Sequence, residues 1–487
     1  MAELLKIPEE NSARETVSAG EPTPSWLQRL RNAWRDMAGS LSGNVRPDLS
    51  NDNDVRNLRK QMMDCLEARG GEVSARARAA SLGETYLGLD LDGRRRFLQL
   101  MASGFDPDMN AVESAITGYG SAGDDQRPQA EIDLRNALEP KRLRLLTQFN
   151  ALPQGVKFLV DMRADLLKFY REDPHLKALE HDFRQLLASW FDVGFLELER
   201  ISWDHPASLL EKLIEYEAVH EIRGWEDLKN RLETDRRFFA FFHPRMPDEP
   251  LIFVQVALVT GLAESVDTLL DAAAPIAEPD DADTAIFYSI SNAQSGLAGV
   301  SFGGFLIKRV VDLLREEFPG LKQFATLSPI PGLKRWLDIS LDDRSFELSE
   351  SEHKALVTAG GFDDSGDVPP KDLLERLLGT ESWHQDENLN EILRPLLTRA
   401  AAEYLARGKR SDGIRALNPV ANFHLTNGAR IERLNWLGDR SENGLNQAAG
   451  LMVNYLYDLE KIEANHEAYS INGETALSPQ VKRLLKD

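Results

Sequence analysis

The sequence is poor in the residues that build covalent cross-links, metal clusters and membrane spans. Cys65 is the only cysteine in 487 residues, so neither an intramolecular disulfide nor a zinc site of several cysteines can form. The nine histidines fall into no HxxH or HExxH spacing, and no apolar run approaches the roughly 18 residues that a membrane helix needs. We therefore expect no bound metal ion and no contact with a membrane.

Positive charge is also scarce. Asp and Glu outnumber Lys and Arg by 79 to 57, which gives a formal net charge of −22, and no basic tract stands out. Phosphate backbones need a basic surface, so this composition argues against a nucleic-acid partner. The opening residues, MAELLKIPEENSARE, are acidic and polar, unlike a signal peptide or an Arg-rich transit peptide. The simplest expectation is a cytoplasmic protein.

A chain of this length can bury more than one core. The pattern of polar and apolar residues changes twice along it. Residues 1–24 are polar and end in Pro-Thr-Pro, which predicts a flexible arm. In residues 25–192 the apolar side chains recur every three or four positions, as in RFLQLMASGF and VKFLVDMRADLLKFY, and no strand pattern is evident. This part is predicted to be a bundle of about seven or eight helices.

The remaining residues, 193–487, carry short runs rich in Phe, Ile, Val and Thr, which are typical of strands. The strand-like runs are 236–243, 249–261, 284–292, 322–328 and 429–437. The helical patterns between them are 264–273, 303–317, 370–378 and 387–406. The loop HPRMPDEP is expected to hold Asp248 and Glu249 in solvent. The predicted fold class is therefore α+β, an N-terminal all-α helical bundle followed by a mixed α/β domain around a central sheet.

A glycine-rich segment leads from one of these strands into a helix. That order directs backbone N–H groups and the helix dipole at one point, which suits a pyrophosphate. The spacing resembles the acyl-CoA loop of the N-acetyltransferase (GNAT) fold, with Ala298 at the usual Arg or Gln position and Ser301 at the first glycine. Lys308 and Arg309 follow about one turn into the helix and add charge. The residues predicted to bind coenzyme A are Ala298, Gly299, Val300, Ser301, Phe302, Gly303 and Gly304.

Two further residues are candidates for chemistry. Ser328 ends the run FATLS and precedes PIPG; the proline after it favours extended backbone, and Pro331 with Gly332 predicts a fixed turn. The hydroxyl is thus held with little freedom, either in an ordinary turn or at an active site. His424 lies in NFHL between two apolar residues, where a histidine is either a hydrogen-bonded core residue or a functional one.

Four long segments carry a more specific resemblance. FFHPRMPDEPLIFVQVAL, TAIFYSISNAQSGLAGVSFGGFLIKRVV, FATLSPIPGLKRWL and LNPVANFHLTNGARIERLNWLGD resemble the malonyl-CoA decarboxylase family, and the likeness covers most of residues 190–460. The resemblance implies a helical domain, residues 25–192, that assembles a homotetramer, and a GNAT-like catalytic domain, residues 193–487, that binds malonyl-CoA. It also implies that Ser328 and His424 are catalytic. A glutamate that some members have in the CoA loop is Ser301 here, so no acid–base role is implied there.

The reaction that the resemblance implies suits these residue types. Loss of CO2 from malonyl-CoA leaves an enolate on the thioester, which needs oxyanion stabilisation and then a proton at carbon. The thioester carbonyl holds the charge, so no cofactor beyond the coenzyme A of the substrate is expected. Open questions are which of Ser328 and His424 meets the carbon, whether methylmalonyl-CoA is tolerated, and whether the enzyme serves malonate use or controls malonyl-CoA levels.

Two other functions fit parts of the sequence. An acyl-CoA-dependent N-acetyltransferase would use the same CoA loop, but it would need an open groove and a base for an incoming amine. A non-catalytic acyl-CoA sensor or scaffold would keep its function when Ser328 and His424 are replaced by alanine. Neither alternative accounts for the paired SPIPG and NFHL segments, so decarboxylation is the preferred interpretation.

Overall fold

The computed structural model describes residues 26–38, 48–67, 71–300, 305–361 and 368–486. The described residues divide into two compact units, one that extends to Phe183 and one that starts at Arg184. The division lies a few residues before the predicted domain boundary at 192/193, which stays a prediction. The flexible arm predicted for residues 1–24 lies outside the described residues.

The first unit is helical, as predicted, and its described residues contain no strand. The described residues up to the boundary region form nine helices, which are α1 Trp26–Ala38, α2 Asp52–Leu66, α3 Gly71–Gly88, α4 Leu91–Gly104, α5 Met109–Ser121, α6 Arg127–Leu138, α7 Lys141–Asn150, α8 Gly155–Phe169 and α9 Pro174–Trp190. Trp34 is fully buried, and its ring meets Phe158 edge-on at a centroid distance of 4.7 Å. A Cβ at Gly83 would lie 2.1 Å from this indole, so glycine is needed where α1 and α3 meet.

Helices α5 and α6 form a hairpin that buries little of its apolar surface. Among the described residues, α6 has no buried side chain and α5 has only Val112. Apolar side chains along the hairpin are instead exposed, and Ile116 and Ile132 are 54% and 49% accessible. An isolated helix pair without a core is marginal in water, so this hairpin presents an apolar surface that the unit itself does not cover.

The second unit has mixed secondary structure, also as predicted. Its strands are β1 Glu197–Ile201, β2 Arg236–Phe242, β3 Ile252–Val259, β4 Thr284–Asn292, β5 Gln323–Thr326, β6 Ser328–Pro329, β7 Arg430–Asn435 and β8 Met452–Leu456. Its helices are α10 Ala207–Tyr216, α11 Trp225–Arg231, α12 Val266–Leu269, α13 Phe305–Glu317, α14 Leu333–Asp342, α15 Glu350–Ala359, α16 Pro370–Leu378, α17 Glu387–Ala406, α18 Pro419–Thr426, α19 Glu442–Ala448, α20 Ile462–Asn472 and α21 Pro479–Leu484. The elements that were not predicted are strands β1 and β8 and helices α10, α11, α14, α15, α18, α19, α20 and α21.

In the part of the chain that the structure describes, the strands form one eight-stranded mixed sheet. Strands β1 to β4 pair in sequence order and antiparallel, whereas β4 and β5 are parallel. Strands β5 and β6 both pair with β8, which also pairs with β7. Leu213 of α10 and Leu228 of α11 pack on Phe238 of β2, which anchors one face of the sheet. The centre of the sheet therefore brings together β5 and β8, which are more than a hundred residues apart.

One local expectation about solvent exposure is wrong. Asp248 is exposed, but Glu249 of the same loop is buried. Lys212 of α10 places its Nζ 2.6 Å from Glu249 Oε1, and this ion pair compensates the burial of the carboxylate. The sequence of the loop alone does not reveal a partner 37 positions away.

Candidate active site

Ser328 lies where the pairing between β5 and β8 is interrupted. Ala325 pairs with Leu456 and Ser328 pairs with Val453, but the two residue pairs between them do not continue the ladder. The backbone N–H of Tyr455 donates instead to the side-chain oxygen of Thr326, at 3.2 Å. The side-chain hydroxyl of Thr326, two residues before Ser328, thus takes the place of a backbone carbonyl as the acceptor.

The turn after Ser328 is fixed by two hydrogen bonds to one carbonyl. The Pro331 carbonyl accepts from the Tyr404 hydroxyl at 3.1 Å and from the Asn418 side-chain amide at 2.9 Å. Gly332 follows with φ +80°, a left-handed conformation that favours glycine. The rigid turn predicted from SPIPG is present, and it is held by side chains from α17 and from the start of α18.

His424 is presented by the short helix α18. The Asn418 side-chain oxygen caps the helix by accepting from the Ala421 N–H at 2.8 Å, and Pro419 occupies the first turn. The helix ends before Gly428, whose φ of +78° and close approach to the Ile462 backbone leave no room for a side chain. Because the amide of Asn418 also holds the Pro331 carbonyl, one buried residue connects the serine turn to the histidine helix.

The structure brings the two predicted catalytic side chains together. Ser328 Oγ lies 3.3 Å from His424 Nε2, and the two residues are only 6% and 3% accessible. The Ser328 hydroxyl donates to Thr326 Oγ1 at 2.9 Å, so its oxygen is left to accept from the imidazole. On the other side of the ring, Nδ1 lies 2.7 Å from the Tyr457 hydroxyl. A neutral imidazole with its proton on Nε2 satisfies all three contacts, with Tyr457 as the donor to Nδ1.

The surroundings of the imidazole keep it neutral. Its ring stacks on Tyr455, with a centroid distance of 4.5 Å and an interplanar angle of 25°, and the Phe423 ring meets it edge-on. Burial lowers the pKa of His424 to about 3, because a charged imidazolium would lose its hydration here. Burial also raises the pKa of the Tyr457 hydroxyl well above its usual range. At neutral pH the site therefore contains neutral, hydrogen-bonded groups.

The predicted CoA loop follows β4 in the expected order of strand, loop and helix. Ala298 and Gly299 are exposed, and Gly299 adopts the left-handed conformation with φ +75°. The Val300 N–H donates to the Leu297 carbonyl at 2.9 Å, which closes a tight turn. The other predicted loop residues, Ser301, Phe302, Gly303 and Gly304, lie outside the described residues.

The two basic residues of α13 differ in what they offer a phosphate. Lys308 is exposed. Arg309 donates to the Leu196 carbonyl at 2.7 Å, and its guanidinium lies over the Phe241 ring at 5.6 Å. Arg309 is therefore held against the sheet, and Lys308 is the better candidate for contact with an anion.

Other possible sites in the described residues do not coincide with this one. A cavity of about 1380 Å³ is lined by residues that include Glu217, His220, Asp267 and Asp439, but not by Ser328 or His424. No group of three or more His, Cys, Asp or Glu side chains in the described ranges is arranged to hold a metal ion. Within the same ranges, no helix combines the length and apolarity needed to cross a membrane.

Three residues of the arrangement, Thr326, Asn418 and Tyr457, are missing from the sequence prediction. Each has a local signal. Thr326 precedes Ser328 by two positions, which places both on one face of a strand. Asn418 followed by proline is a common helix start, and MVNYLY alternates in a way that is typical of a strand with Tyr455 and Tyr457 on one face.

Comparison with known proteins gives consistent matches over both units. The family model described as "Malonyl-CoA decarboxylase N-terminal domain" matches residues 105–191, and the one described as "Malonyl-CoA decarboxylase C-terminal domain" matches residues 194–487. A curated relative named "Malonyl-CoA decarboxylase, mitochondrial", from Anser anser anser, is 37% identical over 420 residues, which cover 84% of this chain and 83% of the relative.

Two crystal structures are also similar to this chain. That of a malonyl-CoA decarboxylase from Rhodopseudomonas palustris has a TM-score of 0.79 and 42% identity, and the match covers 88% of this chain and 99% of the other. That of a malonyl-CoA decarboxylase from Agrobacterium vitis has the same TM-score and 43% identity, with 88% and 100% covered. The likeness therefore extends over most of this chain in both sequence and structure.

Proposed function

The chain belongs to the malonyl-CoA decarboxylase family and converts malonyl-CoA to acetyl-CoA and CO2, and we propose that Ser328 and His424 carry out the proton handling of this reaction. The observation that supports this pair is their 3.3 Å contact in a buried pocket of neutral groups. The polar tips of the two side chains face each other.

In the proposed reaction, the carbon–carbon bond to the carboxylate breaks and its electron pair becomes the thioester enolate, while CO2 leaves. The enolate carbon then takes a proton that His424 supplies from the Nε2 side, and the imidazole regains a proton from solvent, so each turnover consumes one proton. Ser328 is next to Nε2, and when the malonyl group binds, its hydroxyl hydrogen turns from Thr326 to hydrogen-bond the carboxylate or to relay this proton. The buried surroundings strengthen each of these interactions.

The developing oxyanion needs its own donors. We propose that backbone N–H groups of the loop 298–304 and of the first turn of α13 bind the thioester end of malonyl-CoA and its pyrophosphate. The left-handed Gly299 and the strand–loop–helix order support this assignment. Since the thioester carbonyl holds the charge, the proposal contains no cofactor apart from the coenzyme A of the substrate.

We also propose a GNAT-like fold for the second unit and a domain boundary at 192/193. Support for the fold comes from the strand order β1-β2-β3-β4-β5-β8-β7, in which β4 and β5 are parallel and a helix follows β4. Support for the boundary comes from the family matches, which end at residue 191 and resume at residue 194. The cytoplasmic location stays a prediction.

The helical unit is proposed to assemble the chain into a homotetramer. The α5–α6 hairpin supports this, because its apolar side chains are exposed and its described residues contribute almost nothing to a core. A second copy of the hairpin would cover the same surface, which is the usual arrangement in symmetric oligomers. The substrate, malonyl-CoA, and other copies of the chain are the partners in this proposal.

Release of CO2 and acetyl-CoA from malonyl-CoA, measured on Ser328→Ala and His424→Ala beside the wild type, tests the roles of the pair. Incubation with acetyl-CoA and simple amines, under the same conditions, tests the N-acetyltransferase alternative. Loss of turnover in both variants with retained CoA binding supports the proposal. Full turnover in either variant would remove that residue from the mechanism.

A further inference from the structure

Thr326 is built into the site in an unusual way. It is fully buried, and its backbone carbonyl accepts from the Asn454 side-chain amide of β8 at 2.8 Å, not from a backbone N–H of that strand. Its side-chain oxygen accepts from the Tyr455 N–H at 3.2 Å. Both contacts replace the β-ladder that would otherwise run from Ala325 to Ser328. Asn454 therefore holds the backbone of Thr326, and Tyr455 holds its side-chain oxygen.

The same oxygen sets the direction of the Ser328 hydroxyl. Ser328 and Thr326 are two positions apart, so their side chains lie on one face, and Ser328 donates to Thr326 Oγ1 at 2.9 Å. With its hydrogen used there, Ser328 Oγ accepts from His424 Nε2. Without that acceptor, the hydroxyl would turn to donate to Nε2, and the imidazole would have to carry its proton on Nδ1. The acceptor that Thr326 offers to Ser328 thus favours a proton on Nε2 of His424.

We propose that Thr326 is a positioning residue for the decarboxylation: it orients the Ser328 hydroxyl and thereby keeps the His424 proton on Nε2. This rests on the proposed role of the Ser328–His424 pair. Thr326 need not touch the substrate, because it acts through Ser328. The interrupted ladder is what makes this possible, since a regular β-pair would use the Tyr455 N–H for a backbone carbonyl.

Thr326→Val tests the inference with little change of shape, because it replaces the hydroxyl by a methyl group. We expect kcat to fall on the order of 10- to 100-fold, the effect of a misplaced catalytic group, while KM for malonyl-CoA stays within about twofold. Thr326→Ser keeps the oxygen and should restore kcat to near the wild-type value. The matched control is Thr284→Val, at another fully buried threonine of the sheet, whose hydroxyl donates to Asp283; it should leave kcat unchanged.

A second measurement distinguishes a positioning role of Thr326 from a general disturbance of the structure. In ¹⁵N NMR spectra of histidine-labelled protein, with the His424 signals assigned by comparison with His424→Gln, the wild type should show the Nε2–H tautomer. Thr326→Val should shift His424 toward the Nδ1–H tautomer, and Thr284→Val should not. An unchanged tautomer in Thr326→Val would overturn the inference, whatever happens to kcat.

A double-mutant cycle tests whether Thr326 acts through Ser328. If it does, Thr326→Val should have no further effect on kcat in a Ser328→Ala background, whereas independent effects would multiply. Multiplying effects, or a kcat of Thr326→Val within about twofold of wild type, would refute the inference. Wild-type turnover in Ser328→Ala alone would instead refute the proposed pair. Should Thr326→Val not fold, Thr326→Ala removes the same oxygen and is judged by the same criteria.

Discussion

His424 Nδ1 lies 2.7 Å from the Tyr457 hydroxyl, on the side of the ring opposite Ser328. The imidazole thus has a hydrogen-bonding partner at each nitrogen and a stacked tyrosine on its face. These contacts fix the position of the ring and fit a neutral imidazole with its proton on Nε2.

Tyr457→Phe removes the partner of Nδ1 and keeps the aromatic ring. The imidazole then loses one of the bonds that hold its orientation and tautomer, so kcat should fall by about tenfold or more while KM changes little. Steady-state kinetics with malonyl-CoA check this. Tyr86→Phe is the control, since it removes a buried hydroxyl that donates to Asp165 in the helical unit. Equal kinetics for both variants would argue against a role for Tyr457.

The neutral, buried imidazole makes stability depend on pH. Below about pH 6.5 the unfolded chain protonates His424, whereas burial keeps the folded pKa at about 3. Its contribution to stability is therefore complete above pH 6.5 and declines as the pH falls toward 3. Between pH 7 and pH 5 the wild type should lose about 2 kcal/mol more unfolding free energy than His424→Gln. Urea denaturation at the two pH values measures the difference, and parallel losses in both proteins would contradict it.

Gly299→Ala tests the proposed CoA loop. The left-handed φ of Gly299 costs a residue with a side chain about 1–2 kcal/mol, although the space around its Cβ is open. If the loop relieves this strain by moving, affinity for malonyl-CoA should fall about tenfold. Gly413→Ala carries the same strain in equally open space elsewhere, so it should lower stability without affecting binding. Equal KM values for the two variants would remove Gly299 from the substrate site.

The α5–α6 hairpin should control self-association. Replacing both Ile116 and Ile132 by glutamate puts charge where a partner copy would need apolar contact, so the assembly should dissociate into smaller species. Light scattering after size-exclusion chromatography measures the mass. Ile339→Glu, at a 53% accessible isoleucine of the second unit, is the control. A tetramer that survives the double substitution would place the interface elsewhere.

Much of the fold follows from local patterns, and the failures have identifiable causes. Four of the five predicted strand runs coincide with single strands, and the fifth, 322–328, covers β5 and the first residue of β6. Strand β8 was missed because MVNYLY is short, and its place between β5 and β7 depends on partners far along the chain. Helix α18 has only eight residues, so its apolar period is too brief to stand out.

The site was harder to predict from the sequence than the fold. The rigid turn after Ser328 follows from Pro331 and Gly332, because those residues restrict the backbone locally. The contact between Ser328 and His424 joins residues 96 positions apart, and only the family resemblance pointed to it. Spacing and composition also could not reveal that Thr326 replaces a backbone acceptor, because that depends on how β8 lies beside β5.

The most direct test of the Ser328–His424 pair is the rate of CO2 release from saturating malonyl-CoA by Ser328→Ala and His424→Ala. Ser340→Ala and His243→Ala, at a buried serine and a buried histidine outside the site, serve as controls, with folding and CoA binding measured in parallel. We predict that each site variant loses on the order of 100-fold or more in kcat and still binds CoA, while the controls do not. Turnover near the wild-type rate in either site variant would contradict the assignment.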